Sequence, residues 1–143
     1  MQNYFEVKVK YEKTGENGLP KKVNEPYLVD ALSFAEAEAR ITKEIKPFVS
    51  GEFSVSGIKK SRIAELFDNP SGDKWYRAKV NFISIDEEKG VEKKTAVTMM
   101  VQAADIESAR AYLAEKLKST LSDWEISAVQ ETKILDVFKS KLK

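Results

Sequence analysis

The sequence predicts an α+β fold: two tandem ββαβ repeats, with two helices packed on a mostly antiparallel sheet and related by a pseudo-two-fold axis. Three observations carry that expectation. Tyr4-Phe5-Glu6-Val7-Lys8-Val9-Lys10-Tyr11 aligns with Trp75-Tyr76-Arg77-Ala78-Lys79-Val80-Asn81-Phe82, an offset of 71 residues from 4 to 75. Val29-Asp30-Ala31-Leu32-Ser33-Phe34 aligns with Val101-Gln102-Ala103-Ala104-Asp105-Ile106, an offset of 72 from 29 to 101. Phe53-Ser54-Val55-Ser56-Gly57-Ile58 aligns with Trp124-Glu125-Ile126-Ser127-Ala128-Val129, returning the offset to 71 from 53 to 124. Similar segments in the same order at a fixed spacing mark a duplicated supersecondary unit, and the one-residue slips fall in loops.

The elements follow in order. In the first strand Phe5, Val7, Val9 and Tyr11 alternate with Tyr4, Glu6, Lys8 and Lys10, the period of a strand with one face buried. Asn17-Gly18 marks a hairpin turn, and Asp86-Glu87-Glu88-Lys89-Gly90 stands in its place in the second copy. The second strands span about 23–31 and 95–103. Pro26 has no N–H to give a ladder, which predicts a sheet edge or a bulge. Ser33 with Glu36 forms a capping box and Asp105 is the matching N-cap. Phe34, Ala37, Ile41 and Ile45 fall on one helical face, as do Ile106, Ala109, Leu113 and Leu117, and Pro47 ends the first helix. Third strands begin near Phe53 and Trp124. Gly57-Ile58 and Ala128-Val129 interrupt their alternation and predict bulges, with a short extension to Phe67 and Phe138.

This divides the chain into a first repeat over 1–67, a linker at 68–73, a second repeat over 74–138 and a basic tail at 139–143. A repeat of this size makes a marginal core alone, so the two are expected to share one sheet and one core. Glu65-Leu66-Phe67 and Asp136-Val137-Phe138 close the two repeats.

Composition narrows the chemistry. The 143 residues include 24 Lys and Arg, 23 Asp and Glu, no His and no Cys. Thiol nucleophiles, disulfides, thiolate metal sites and imidazole bases are therefore excluded. Carboxylate sites for Mg²⁺ or Ca²⁺ remain open in principle. A net charge of +1 supplies no global field toward nucleic acid or anionic membrane. No apolar stretch approaches the ~20 residues of a membrane-spanning helix. The strand-like start is not expected to act as a signal peptide, and a cytoplasmic protein is expected.

The runs Pro26-Tyr27-Leu28-Val29-Asp30-Ala31-Leu32-Ser33-Phe34, Glu36-Ala37-Glu38-Ala39-Arg40-Ile41, Glu92-Lys93-Lys94 and Lys133-Ile134-Leu135-Asp136-Val137 resemble a small uncharacterised family, a domain of unknown function from gut Bacteroidales and their phages. The resemblance covers nearly the whole chain. It implies a bacterial or phage setting and assigns no reaction, cofactor or site residue.

Candidate sites are few. Tyr4, Lys8 and Lys10 share one strand face, and Trp75, Arg77 and Lys79 share the equivalent one. Rings interleaved with cations on a sheet can hold single-stranded nucleic acid by stacking and phosphate contact. Trp75 is then expected to be exposed and Trp124 to face the core. The bland reading is that lysines on a solvent face blunt edge pairing. Asp86-Glu87-Glu88 lacks the ligand spacing of a calcium loop and reads as a solvated turn. Glu65 and Asp136 are repeat-equivalent carboxylates, placed by alternation on the outer face. No phosphate-binding loop is present. The leading expectation is a non-enzymatic protein-binding or adaptor module without cofactor or metal, using sheet edges, with homodimerisation by edge pairing as one form. The alternative is a single-stranded nucleic-acid-binding module.

Overall fold

A computed structural model describes residues 3–139. Hairpin strands β1 (Tyr4–Thr14) and β2 (Pro20–Asp30) lead to helix α1 (Phe34–Ile45), a one-turn 3-10 helix (Lys46–Phe48), β3 (Phe53–Ser61) and the short β4 (Glu65–Phe67). The order then recurs: β5 (Lys74–Asp86), β6 (Val91–Ala103), α2 (Ile106–Leu117), β7 (Asp123–Glu131) and the short β8 (Val137–Phe138). The expected α+β class holds.

The expected single sheet does not. The strands form two four-stranded sheets, ordered β3-β1-β2-β8 and β4-β6-β5-β7. Two compact units result: unit 1 runs up to Arg62 and resumes at Lys133, whereas unit 2 is the continuous stretch Ile63–Thr132. The boundaries therefore differ from 1–67 and 74–138, because each short closing strand docks on the sheet of the other repeat. In unit 2, β4 pairs parallel with β6 over Met99, Met100 and Val101. In unit 1, β8 pairs parallel with β2 at Leu28 and Val29. The approach to each lane is the same: Ala64 N–H donates to the Thr98 carbonyl, and Leu135 N–H to that of Pro26. Sequence pattern hides this exchange, since Glu65-Leu66-Phe67 and Asp136-Val137-Phe138 have the same apolar pattern.

Within each unit the hairpin is antiparallel and the third strand flanks its first strand. The register slips between Lys8 and Val9 in one and between Lys79 and Val80 in the other, which bulges out Ser56 and Ser127. Each bulged serine donates to a facing carbonyl, that of Lys8 or Lys79, at 3.3 Å. The caps are those expected. Ser33 Oγ accepts from Glu36 N–H at 3.1 Å, and Asp105 Oδ1 from Ser108 N–H at 2.7 Å. The reciprocal arm of the capping box lands one residue early, with Glu36 Oε2 accepting from Leu32 N–H.

Each sheet packs one face on its helix. Phe5, Val7, Val9, Val29 and Ala31 meet Ala37, Ile41 and Ile45 in unit 1. Tyr76, Ala78, Val80, Met99, Val101 and Ala103 meet Ala109, Leu113 and Leu117 in unit 2, with half-buried Trp124 against them. Phe34 and Ile106 sit at the rim of the predicted helical faces, 53% and 49% exposed. Phe34 rests edge-on against Phe5, with ring centroids 5.0 Å apart.

The stretch 68–73, expected as a linker, is held to unit 2. Asn69 N–H donates to the Gln102 side chain, Gly72 N–H to the Asn69 carbonyl, and the Tyr112 hydroxyl to the Asp68 carbonyl. A Cβ on Gly72 would collide with the backbone of Ala103, so glycine alone fits there. Of the predicted tail, Lys139 is tied down through its carbonyl, which accepts from Arg40 Nη2 at 2.9 Å. Residues 140–143 lie outside the described residues.

Candidate binding surfaces

The six residues of the basic-aromatic strand faces differ in exposure. Lys8, Lys10 and Lys79 are exposed and Arg77 is half-buried. Tyr4 and Trp75 are 3% and 4% exposed, so the expectation of an exposed Trp75 is corrected. Alternation placed both rings on the face away from the helix, as observed, but that end of the face is dry. Leu28 and Met100 on the same face are fully buried beside them. The signal lay in Tyr27-Leu28-Val29 and Val97-Thr98-Met99-Met100-Val101, where apolar residues stop alternating, as they do in strands buried on both faces. A ring without solvent-facing area cannot stack on a base.

The carboxylates are solvated. Glu65 and Asp136 are exposed and belong to different units, Glu65 on β4 and Asp136 just before β8. Asp136 Oδ1 accepts from Val137 N–H and its carbonyl accepts from Leu28 N–H. Asp86 shapes its turn by accepting from Glu88 and Lys89 N–H. Among the described residues no three acidic side chains are grouped to hold a metal ion.

Two constellations were not foreseen. On the helix side of unit 1, beyond the helix, the Tyr11 hydroxyl donates to Glu25 Oε1 at 2.6 Å and the Tyr27 hydroxyl to the same oxygen at 3.4 Å. Tyr27 also stacks on Phe138, with centroids 5.7 Å apart. The hydrogen bond to Glu25 pushes the Tyr11 phenol up to about 12, and burial raises Tyr27 further. Next to Tyr11, β1 overhangs β3 from Glu12 to Thr14, because β3 starts only at Phe53 opposite Tyr11. A groove of 530 Å³ opens there, edged by Lys10, Lys22 and Gly51. Sequence pattern could not reveal it, since it arises from unequal strand lengths.

The second constellation is backbone. Among the described residues every buried side-chain nitrogen and oxygen is hydrogen-bonded, whereas an edge strand presents a row of main-chain N–H and C=O groups. The bulges at Ser56 and Ser127 twist the outer edges of β3 and β7. The outer edge of β2 shares the parity of Leu28, whose N–H points outward to the Asp136 carbonyl. Its outward positions are therefore Pro26, Asn24, Lys22 and Pro20, and two of these four have no N–H. On β6 the parity of Thr98 makes Ala96, Lys94 and Glu92 outward, and none is proline. β4 covers only Met99–Val101, and every side chain from Val91 to Ala96 is exposed. Of the described strand edges, this long one carries neither bulge nor proline.

A comparison with protein families matches residues 3–140 to DUF4494, a domain of unknown function. The chain belongs to the DUF4494 family. The match spans both units, so the exchanged closing strands lie within one DUF4494 domain. No curated protein and no solved structure matches the chain. No helix among the described residues is long and apolar enough to cross a membrane.

Proposed function

We propose that this DUF4494 protein is a non-enzymatic protein-binding module that works through a sheet edge. The observation that carries this reading is the difference between two equivalent edges. On β2 the outward positions include Pro20 and Pro26, which have no N–H to offer; on β6 their counterparts are Glu92 and Thr98, which keep theirs. An edge left with alternating free N–H and C=O groups accepts an extended segment of another chain by strand addition. Main-chain bonds supply the affinity in this mode, which suits a surface without a deep side-chain pocket. The absence of His and Cys from the sequence and the solvation of Glu65 and Asp136 favour binding over catalysis. The nucleic-acid reading keeps its cations and loses its two rings.

The test is a substitution the fold already accepts at the equivalent place. Glu92→Pro installs in unit 2 the proline that unit 1 carries at position 20 and removes one outward N–H. Proteins retained by the wild-type chain are expected to be lost from the variant, with its circular dichroism unchanged. An identical set of captured proteins would refute strand addition at this edge.

A further inference from the structure

Resting on that reading, we infer that the strand added to β6 is β6 of a second copy of the chain. The edge is self-complementary. Antiparallel pairing about a two-fold axis at Lys93 puts Glu92 of each copy opposite Lys94 of the other. Both are outward positions, so each pair exchanges two main-chain hydrogen bonds, and Ala96 N–H reaches the Gly90 carbonyl of the second copy. The charges then alternate across the seam. Lys94 Nζ already sits 2.9 Å from Glu125 of its own copy, which raises its pKa and lowers that of Glu125. In the dimer the ammonium lies between that carboxylate and the second copy's Glu92. Val91, 53% exposed at the strand's start, faces Thr95 of the second copy and loses solvent. The one like-charged pair, Lys93 with Lys93, lies on the other side of the sheet with both side chains free to extend into water. Opposite charges facing across antiparallel strands are favourable and like charges are not, so the axis at Lys93 is preferred to one at Lys94, which would set lysine against lysine on the same side as Glu125.

The seam is a short strand pair, smaller than the ~1,200 Å² of a standard stable interface, so the dimer is weak and concentration-dependent. Sedimentation equilibrium of the full chain over a wide concentration range reads it directly. The wild type is expected to shift from monomer to dimer as concentration rises. Glu92→Pro should raise the dissociation constant about tenfold or more. Glu92→Lys alone and Lys94→Glu alone should each weaken self-association. Mixing the two variants should restore dimers, because both facing pairs of the mixed dimer again set a lysine against a glutamate. A wild type that stays monomeric throughout, or a dimer indifferent to Glu92→Pro and to the charge exchange, overturns the inference. If the chain is monomeric while capture of another protein remains sensitive to Glu92→Pro, the second copy is the wrong occupant and the edge is still the site. If that sensitivity is also missing, the edge reading falls with it.

Discussion

Unit 1 and unit 2 share a register down to the bulged serine, and they differ where the sheet runs past its helix. In unit 1 that region holds Tyr11, Glu25 and Tyr27, joined by hydroxyl-to-carboxylate hydrogen bonds. The same register positions in unit 2 are Phe82, Val97 and Met99, packed as ordinary core. On the opposite face the contrast reverses. Asn81 Nδ2 and Lys94 Nζ both bind Glu125 in unit 2, at 3.0 and 2.9 Å. Their counterparts Lys10, Lys22 and Ser54 offer no carboxylate and border an open groove. Equal backbones thus carry opposite choices of where polarity is satisfied internally. The polar site of unit 1 lies inside a hydrogen-bonded cluster beside a groove, and that of unit 2 lies next to an open edge.

The largest effects should come from the cores, where the units are most alike. Ile41 and Leu113 are equivalent and fully buried. Replacing either by alanine is expected to cost about 2–5 kcal/mol. Both tryptophans belong to unit 2, so denaturation followed by fluorescence reports that unit, while far-ultraviolet circular dichroism reports both. Leu113→Ala should move the fluorescence midpoint and Ile41→Ala the dichroism. A loss under about 1 kcal/mol at either position would break the equivalence of the cores.

Next is a position special to unit 2. Gly72→Ala forces a Cβ into the Ala103 backbone and should cost about 1–3 kcal/mol, the range for overpacking, read as a lowered denaturation midpoint. An unchanged midpoint would mean that 68–73 is the loose linker its sequence suggests.

The caps sharpen the comparison through pH. Ser33→Ala should cost about 1 kcal/mol at any pH, since a hydroxyl cap does not titrate. The Asp105 carboxyl is held below its ordinary range by the hydrogen bonds from Ser108. Its contribution is present above the unfolded aspartate pKa and is lost as pH falls through the depressed folded value. Asp105→Ala should therefore matter at neutral pH and cease to matter in acid. Equal acid sensitivity of the two variants would contradict the assignment.

The smallest effect is at alkaline pH. Tyr11 titrates near 10 when unfolded and about 12 when folded, so its bond to Glu25 stabilises unit 1 fully below pH 10 and is lost between about 10 and 12. Tyr11→Phe, which copies Phe82, should flatten that loss and remove one high tyrosinate step from the ultraviolet titration.

These regions also differ in how readable they were. Strand alternation, both caps, the bulges and the helix faces follow from local periodicity and stereochemistry, which act within a few residues. What escaped depends on relations between distant segments. Leu66 and Val137 occupy equivalent places, so nothing in either sequence says which hairpin it joins. The burial of Tyr4 and Trp75 goes with that of Leu28 and Met100 on neighbouring strands. The outward parity of Pro20 and Pro26, which separates a closed edge from an open one, becomes visible only when a hydrogen bond from the closing strand sets the direction of every second N–H.

The exchange of closing strands also bears on the order in which the protein is made. Unit 2 is complete in sequence at Thr132, yet unit 1, begun first, still lacks β8, whose Val137 and Phe138 follow the whole of unit 2. While unit 2 is being synthesised the lane beside Leu28 and Val29 stays empty, and Tyr27 waits without the ring of Phe138. The half of the protein that emerges first is the half that closes last.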